Sequence, residues 1–312
     1  MIGVFGKVSK IKNLGLKPDV IYTSLDKINT FDEKLVPLLW VPKAMNIDEG
    51  VEDIYGRKYL FAFNNSGCIA KPGIINYSLE ALERAHSLGY KKLMLDAIRL
   101  PSPIDGLYFL TTCFCSYSLE LYSKLRHLRD SFKNILRRPT RQGLLELLDE
   151  LAYARTEHVE NLLSILYDRA KELDVKLIAA VFPYPLSRYV GQEPKVLEKY
   201  LSRVHVMLYH KCSGAACLNA EVKHLVKTLR DLGFNYDVIQ EIIEDLVKLK
   251  LSLEEINSLD QGLNIKHIEG LAKLNKIIYG NKFIPIIWLD ENTHCRLESY
   301  LGEYQYIDLF VS

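Results

Sequence analysis

Side chains that could carry out acid–base chemistry follow two apolar runs of this 312-residue chain. The run Leu93–Leu95 ends at Asp96, and Arg99 follows three residues later. Asp290 and Glu291 follow a second apolar run near the C-terminus. Two carboxyl groups opposed across a cleft hydrolyse glycosidic bonds, because one is held protonated as the acid while the other stays ionised. This pattern predicts Asp96 as the nucleophile and Asp290 or Glu291 as the acid.

The charge at Arg99 bears on the predicted role of Asp96. A guanidinium close to a carboxyl favours its ionised form, so Arg99 is expected to keep Asp96 ionised. Two alternatives remain open. Asp96 and Arg99 could form only a structural ion pair, and Asp290 with Glu291 could be an acidic pair at a helix N-terminus. Glu221 is a weaker candidate for the acid.

Amide, aromatic and basic side chains follow other apolar runs and are candidates for binding substrate. Aromatic rings, including Trp40, could stack on sugar faces, although tyrosine and tryptophan at strand positions are more often part of a core. His210 could likewise be a satisfied core histidine. With Arg99, the predicted substrate-binding residues are Asn64, Asn65, Tyr184, Arg188, Tyr209, His210 and Trp288.

Short apolar runs alternate with helical segments along the chain, which is the rhythm of a parallel sheet. The runs are Ile2–Phe5, Val20–Ser24, Val36–Val41, Tyr59–Phe63, Leu93–Leu95, Val175–Phe182, Val204–Tyr209, Phe283–Leu289 and Tyr306–Val311. They predict an α/β fold, a (β/α)8 TIM barrel that spans residues 1–312 as a single domain. Nine runs exceed the eight strands of a closed barrel, so one of the first three is expected to be irregular.

Two connections are too long for simple crossovers and predict helical insertions after the fourth and sixth barrel strands. Residues 105–172 contain helical stretches near 116–136, 140–153 and 157–172, and residues 219–278 contain three more. Ser252 with Glu255 three residues on is a capping box. Loops after barrel strands gather at the catalytic face, so both insertions are expected to wall a cleft. Between the early runs, Ser78 to Leu88 predicts a helix with Ser78 at its N-cap.

Six cysteines occur, at positions 68, 113, 115, 212, 217 and 295. None of their spacings is the two-residue spacing of a zinc knuckle. Free buried thiols are therefore the preferred interpretation, with disulfides and metal ligands as the alternatives. A metal-dependent hydrolase that uses His210, Asp290, His294 and Cys212 ranks last, because only eight histidines occur and no pair has HxH spacing.

Composition excludes several classes of protein. Lys+Arg 40 against Asp+Glu 39 gives a net charge of +1, so no overall field favours nucleic acid or anionic lipid. The basic run at 137–141 is expected to be a helix end. No apolar stretch approaches the ~18 residues of a membrane span, and the N-terminus predicts a first strand rather than a signal peptide. A cytoplasmic protein is expected, and five glutamines hint at a thermophile. No cofactor is required for the predicted chemistry.

The segment LMLDAIRLPSP, from Leu93 to Pro103, resembles the LDYIRFP signature of a family of TIM-barrel glycoside hydrolases near the α-amylase and α-galactosidase clans. Three further elements follow in the family's order: Thr112–Cys115, Phe182 to Gln192 and Met207–His210. The resemblance implies a catalytic carboxylate at Asp96 with Arg99 as its partner, Tyr209 and His210 in a sugar subsite, and a carbohydrate substrate.

The chain departs from that signature at two positions and in its acids. Ala97 stands where an aromatic residue is usual, Leu100 replaces phenylalanine, and no acid lies directly at the end of the fifth or sixth strand. Glu193 and Glu221 lie farther along the chain. A non-catalytic carbohydrate-binding or interaction protein on a degenerate barrel is therefore the alternative to a glycosidase. The oligomeric state is left open.

Overall fold

A computed structural model describes residues 1–6, 17–62, 65–289 and 303–311 of the chain. Eight strands form the barrel: β1 Ile2–Gly6, β2 Val20–Ser24, β3 Leu35–Trp40, β6 Lys92–Asp96, β7 Lys176–Val181, β8 Arg203–Leu208, β9 Phe283–Trp288 and β10 Ile307–Val311. They are parallel and close in the order β1-β10-β9-β8-β7-β6-β3-β2, which confirms the predicted (β/α)8 architecture.

The ninth apolar run does not belong to the barrel. Lys58–Tyr59 (β5) pairs antiparallel with Val51–Glu52 (β4) in a separate two-stranded hairpin. All of the first three runs are barrel strands, so the expectation that one of them is irregular was wrong. The hairpin lies in the connection after β3, where Phe114 N–H donates to the Glu52 carbonyl at 2.7 Å. It therefore packs against the insertion that follows β6.

Burial explains why the central strands are uninterrupted apolar runs. Strands β7 and β8 expose only their first residues, Lys176 and Arg203, and bury the rest. A parallel strand enclosed by side chains inside and by helices outside has no solvent face to alternate with. Charged residues therefore begin these strands at one end of the barrel, and the carboxyl ends face the other.

Helices cover the barrel and fill the two long connections. They are Pro72–Ser87, Leu107–Thr111, Ser116–Leu121, Lys124–Arg137, Arg141–Glu172, Leu186–Tyr189, Pro194–Tyr200, Leu218–Asp231, Tyr236–Val247, Leu253–Asn257 and Ile265–Tyr279. Every described helix is too short or too polar to cross a membrane.

Several helix boundaries differ from the sequence-based expectation. The first helix begins at Pro72 and not after Ser78, because proline suits the first helical position. The two stretches at 140–153 and 157–172 form one helix of 32 residues, Arg141–Glu172. Its N-cap is Thr140, which accepts from Gly143 N–H at 3.1 Å, so the basic run does span a helix end and the next start. The capping box of Ser252 and Glu255 is present.

A polar cluster occupies the amino-terminal half of the barrel interior. The Asp308 carboxylate contacts His205 Nδ1 and accepts from the Tyr22 hydroxyl at 3.3 Å. Burial is the main cause that raises the pKa of Tyr22, and the Asp308 charge adds to it. Gly3 on β1 is the register partner of Asp308 on β10, and a Cβ at Gly3 would meet Asp308 Oδ1 at 2.0 Å. Only glycine fits β1 against the cluster.

Candidate active site

A pocket of about 520 Å³ opens at the carboxyl ends of the barrel strands. This is the end at which TIM barrels place their reacting groups. Its described lining residues are Phe5, Trp40, Asp96, Ala97, Arg99, Ala180, Met207, Tyr209, Cys212, Ser213, Gly214, Ala215, Ala216, Cys217, Trp288 and Phe310. Among them, Asp96 is the one carboxylic acid.

Asp96 is the last residue of β6, between the ends of two neighbouring strands. Its register partners are Trp40 on β3 and Ala180 on β7. The pairing of β6 with these two strands therefore places the Asp96 side chain at the pocket. Burial raises the pKa of Asp96 to about 6, against the lowering effects of the Ala97 backbone N–H and the Arg99 charge. The carboxyl group therefore changes its charge close to neutral pH.

The sequence predicts that Arg99 keeps Asp96 ionised, but the charge of Arg99 is not the main influence on the pKa of this carboxyl group. Arg99 does lower the pKa of Asp96, but burial outweighs it. The guanidinium is itself 2% exposed and is committed elsewhere: Nη1 donates to the Leu100 carbonyl at 2.9 Å and lies 3.8 Å from Asp105 Oδ2. Its ion pair is with Asp105 rather than with Asp96.

The Arg99 guanidinium packs against two aromatic rings, and one of its nitrogen atoms makes no hydrogen bond to the described residues. It lies over the rings of Phe61 and Phe182, at 5.4 and 5.1 Å from their centroids. Its Nη2 atom is buried and has no hydrogen-bond partner among the described residues. Arg99 lines the pocket, but this nitrogen itself is closed off from solvent.

Aromatic side chains form one side of the pocket. Trp288 stacks on Phe310 with centroids 5.1 Å apart, and Tyr209 meets both rings, at 5.9 and 5.2 Å. Burial raises the pKa of Tyr209, and the Asp96 charge raises it further. The cluster therefore presents neutral, largely apolar surface beside Asp96, which is the one carboxylic acid among the described lining residues.

A disulfide-closed loop also lines the pocket. Cys212 and Cys217 are bonded to each other, with Cα atoms 5.3 Å apart, so the preferred interpretation of free thiols was wrong for this pair. Residues 212–217 all line the pocket. The loop is joined to β8 because Leu218 N–H donates to the Tyr209 carbonyl at 3.0 Å. The wall of the pocket is thus cross-linked and hydrogen-bonded to the strand end.

Glu221 holds this loop in place rather than facing the pocket. Its carboxylate accepts from Ala216 N–H at 2.9 Å, from the Ser102 hydroxyl at 3.0 Å and from Ile104 N–H at 2.9 Å. These contacts join the loops after β6 and β8. Burial raises the pKa of Glu221 to about 7, with Arg99 opposing it. The residue is 1% exposed and is absent from the described pocket lining.

The structure brings part of the predicted site together. Asp96, Arg99, Tyr209 and Trp288 line the pocket. Asn65 lines a neighbouring pocket of about 300 Å³, which shares Trp40 with the first. Three other predicted residues lie outside the described lining of both, Tyr184, Arg188 and His210. Asn64, Asp290 and Glu291, as well as His294 and Cys295, lie outside the residues that the structure describes.

The three remaining residues make contacts with the loops and helices around them. Tyr184 N–H donates to Asn275 Oδ1 at 2.9 Å. Arg188 Nε forms an ion pair with Glu193 Oε2 at 3.0 Å. His210 is buried, and its carbonyl accepts from Leu263 N–H at 2.8 Å. These contacts tie the connections after β7 and β8 to their surroundings.

Some lining residues were missed by sequence reasoning. Phe5 and Phe310 lie near the carboxyl ends of β1 and β10, and Met207 lies near the end of β8. The sequence could have indicated these residues, because the end of a parallel barrel strand faces the pocket whether its side chain is apolar or, as at Asp96, charged. Their side chains are apolar, so a prediction based on polar side chains does not include them.

Comparisons with known proteins identify no relative by sequence: no family model matches the chain, and no curated protein matches it. Among solved structures, the chain is similar to the PgaB (BpsB) glycoside hydrolase domain from Bordetella bronchiseptica, at 12% identity and a TM-score of 0.48, over 89% of this chain and 70% of that one. A beta-galactosidase from the psychrophilic Marinomonas ef1 aligns at 9% identity and a TM-score of 0.49, over 99% of this chain and 53% of that chain.

A third similar structure is the glycoside hydrolase domain of PelA from Pseudomonas aeruginosa, at 14% identity and a TM-score of 0.41, over 99% of this chain and 94% of that domain. This chain spans about half the length of the beta-galactosidase. At these identities and TM-scores, the activities of the neighbours are not transferred to this chain.

Proposed function

We propose that this protein is a glycoside hydrolase that acts on an oligosaccharide or polysaccharide at the carboxyl-terminal end of its barrel. The observation that carries the proposal is the position of Asp96: its carboxyl group ends a barrel strand inside a pocket lined by Trp288, Tyr209 and Phe310. An acid with a pKa of about 6 is suited to a reaction near neutral pH.

Asp96 acts as the nucleophile in this mechanism. With a pKa of about 6, about nine in ten of its carboxyl groups are ionised at pH 7. One oxygen of the carboxylate bonds to the anomeric carbon, and the glycosidic C–O bond breaks with its electron pair moving to the leaving oxygen. That oxygen takes a proton from the acid. Water then cleaves the glycosyl ester, and its proton returns to the second carboxyl group.

Asp290 or Glu291 supplies the acid in this proposal. They follow Trp288, a pocket residue on β9, by two and three positions in the sequence. Arg99, which lines the pocket, binds the sugar in this proposal. The aromatic rings stack on the sugar face and exclude water from the reacting bond.

The test is hydrolysis of a panel of aryl glycosides and polysaccharides by wild type, Asp96→Asn and a matched control. The control is Asp168→Asn, which removes an exposed carboxylate from the Arg141–Glu172 helix. We expect Asp96→Asn to lose at least about a hundredfold in kcat, the scale of a positioned acid or base, and the control to retain full activity. Wild-type kcat/KM should rise with pH through about 6, because Asp96 must be ionised.

The acid is assigned with leaving groups of different basicity. Asp290→Asn or Glu291→Gln, whichever removes the acid, should lose activity on polysaccharide but keep it on an activated aryl glycoside, which leaves without protonation. Full activity of Asp96→Asn on every substrate that the wild type cleaves would refute the mechanism.

A carbohydrate-binding protein without activity is the second candidate function. The observation that favours it is that Asp96 is the one carboxylic acid among the described lining residues, while most of the rest are apolar or aromatic. The same panel separates the two functions. No turnover by wild type, together with calorimetric binding of one glycan that Trp288→Ala abolishes, would establish the binding function and exclude the glycosidase.

A further inference from the structure

Three cysteine thiols meet in the interior, away from the pocket. Cys68 is fully buried, and Cys113 and Cys115 are each 2% exposed. All three are free, and their sulfur atoms lie within 4.8 Å of one another. None of them is among the described residues that line the pocket at the barrel mouth.

The spacing of the sulfurs fits a metal better than a disulfide. Cys115 Sγ and Cys68 Sγ are 3.8 Å apart, whereas a disulfide brings its sulfurs to about 2.05 Å. Two thiolates bound to a tetrahedral zinc ion at about 2.3 Å each are separated by about 3.8 Å, the edge of the tetrahedron. The same chain does bond Cys212 to Cys217, so the separation at Cys68 and Cys115 is specific to this cluster.

A buried cation, Arg155, lies near Cys113 and forms no ion pair with a carboxylate among the residues that the structure describes. Arg155 is 1% exposed, and its side chain donates to the carbonyls of Phe109, Thr112 and Tyr189. Three thiolates around a divalent ion carry a net charge of −1, which would balance the guanidinium in an interior where an isolated charge is costly.

A histidine near the cluster has a nitrogen that the protein does not use. His158 Nδ1 contacts the Ala154 carbonyl, which can only accept, so Nδ1 carries the hydrogen and Nε2 is left with its lone pair. That Nε2 is buried and has no hydrogen-bond partner in the described part of the chain. A neutral ring with one nitrogen oriented by a carbonyl is the usual form of a zinc-binding histidine, but His158 does not belong to the group whose donor atoms lie within 4.8 Å of one another, so the three thiolates are the protein ligands of the site.

We propose that Cys68, Cys113 and Cys115 bind one zinc ion as thiolates, in a structural site that is independent of the pocket. Cys68 precedes the Pro72–Ser87 helix in the connection after β3, whereas the other two lie in the insertion after β6. The ion would therefore join two connections that are otherwise held by contacts such as Phe114 N–H to the Glu52 carbonyl. Metal bound by the folded chain alone stabilises it.

The test begins with the wild-type protein, expressed without a metal-binding tag in zinc-supplemented medium. Elemental analysis should find about one zinc per chain, and a strong chelator should lower the melting temperature by several degrees. Replacement by Co²⁺ should produce near-ultraviolet sulfur-to-cobalt charge-transfer bands with the intensity of three thiolates. None of these measurements depends on a variant that folds.

Variants then locate the site. Cys115→Ser should lose the zinc and the cobalt bands, whereas the matched control, Cys212→Ser with Cys217→Ser, should retain both. Three results would overturn the proposal: a chain that binds no zinc and melts unchanged in its presence, iron or copper in place of zinc, or a disulfide between any two of the three cysteines in the unreduced protein.

Discussion

Replacing Asp96 by asparagine should stabilise the protein at neutral pH while it abolishes activity. Burial raises the pKa of Asp96 to about 6 in the folded chain, compared with about 3.9 in an unfolded one. Between those values the folded state holds the proton and the unfolded state has released it. Stability therefore falls as pH rises from about 4 to about 6, and it stays lower above that range.

The size of the effect follows from the difference in pKa. A difference of about two between the folded and unfolded chain corresponds to about 3 kcal/mol. The side chain is partly exposed to the pocket, where water screens the charge, so we expect about 1–3 kcal/mol at pH 7. Asparagine keeps the shape of the side chain without the charge. Asp96→Asn should therefore exceed wild type by that amount at pH 7 and match it near pH 4.

The assay is urea unfolding of both proteins at half-unit steps from pH 4 to pH 7.5, with reversibility checked at each step. The difference between them isolates Asp96, because every other titrating group, Glu221 included, is common to both. The exposed-site variant Asp168→Asn should stay within about 0.5 kcal/mol of wild type at every pH. A variant that is less stable than wild type at pH 7, or a difference that does not change with pH, would refute the reasoning. The first result would mean that the folded pocket stabilises the carboxylate, and the second would mean that the pKa of Asp96 is the same in the folded and unfolded chain.

Two further predictions concern the barrel interior and the pocket wall. Gly3→Ala should lower the free energy of unfolding by about 1–3 kcal/mol, because its Cβ would meet Asp308 Oδ1 at 2.0 Å. Gly270→Ala, which has open space within a helix, should instead raise the free energy of unfolding by about 0.5–1 kcal/mol. Chemical denaturation compares the two variants, and an equal effect of both would contradict the packing argument. Replacing Cys212 and Cys217 together by serine should lower the free energy of unfolding by about 2 kcal/mol, because the disulfide closes a short loop in the unfolded chain. The double variant should also bind glycan more weakly in calorimetry. Unchanged affinity would show that the wall of the pocket keeps its shape without the cross-link.

The barrel itself was predictable because its signal is local and repeated. Eight short apolar runs separated by helical segments specify parallel strands buried on both faces, and these runs became the barrel strands. The ninth run misled because an apolar run looks the same wherever it pairs. Tyr59 lies in a hairpin with Val51, and this choice depends on which partner is near in space, which no local pattern encodes.

The sequence by itself determined the positions of groups along the strands. Asp96, Tyr209 and Trp288 lie at strand ends, and parallel strands bring such ends together, so their meeting in one pocket followed from order along the chain. The pKa of Asp96, by contrast, did not follow from the order of residues along the chain. Whether Arg99 or burial controls the pKa of Asp96 depends on how much water reaches the carboxyl group and on where the guanidinium is bound.

The tertiary structure alone decided the state of the cysteines. Positions 212 and 217 form a disulfide because their Cα atoms lie 5.3 Å apart in a turn. Cys68 meets Cys113 and Cys115 only because the connection after β3 folds against the insertion after β6. Spacing in a sequence sets which residues could react, but bonds and metal sites require distances of a few ångströms, and packing between distant segments sets those distances.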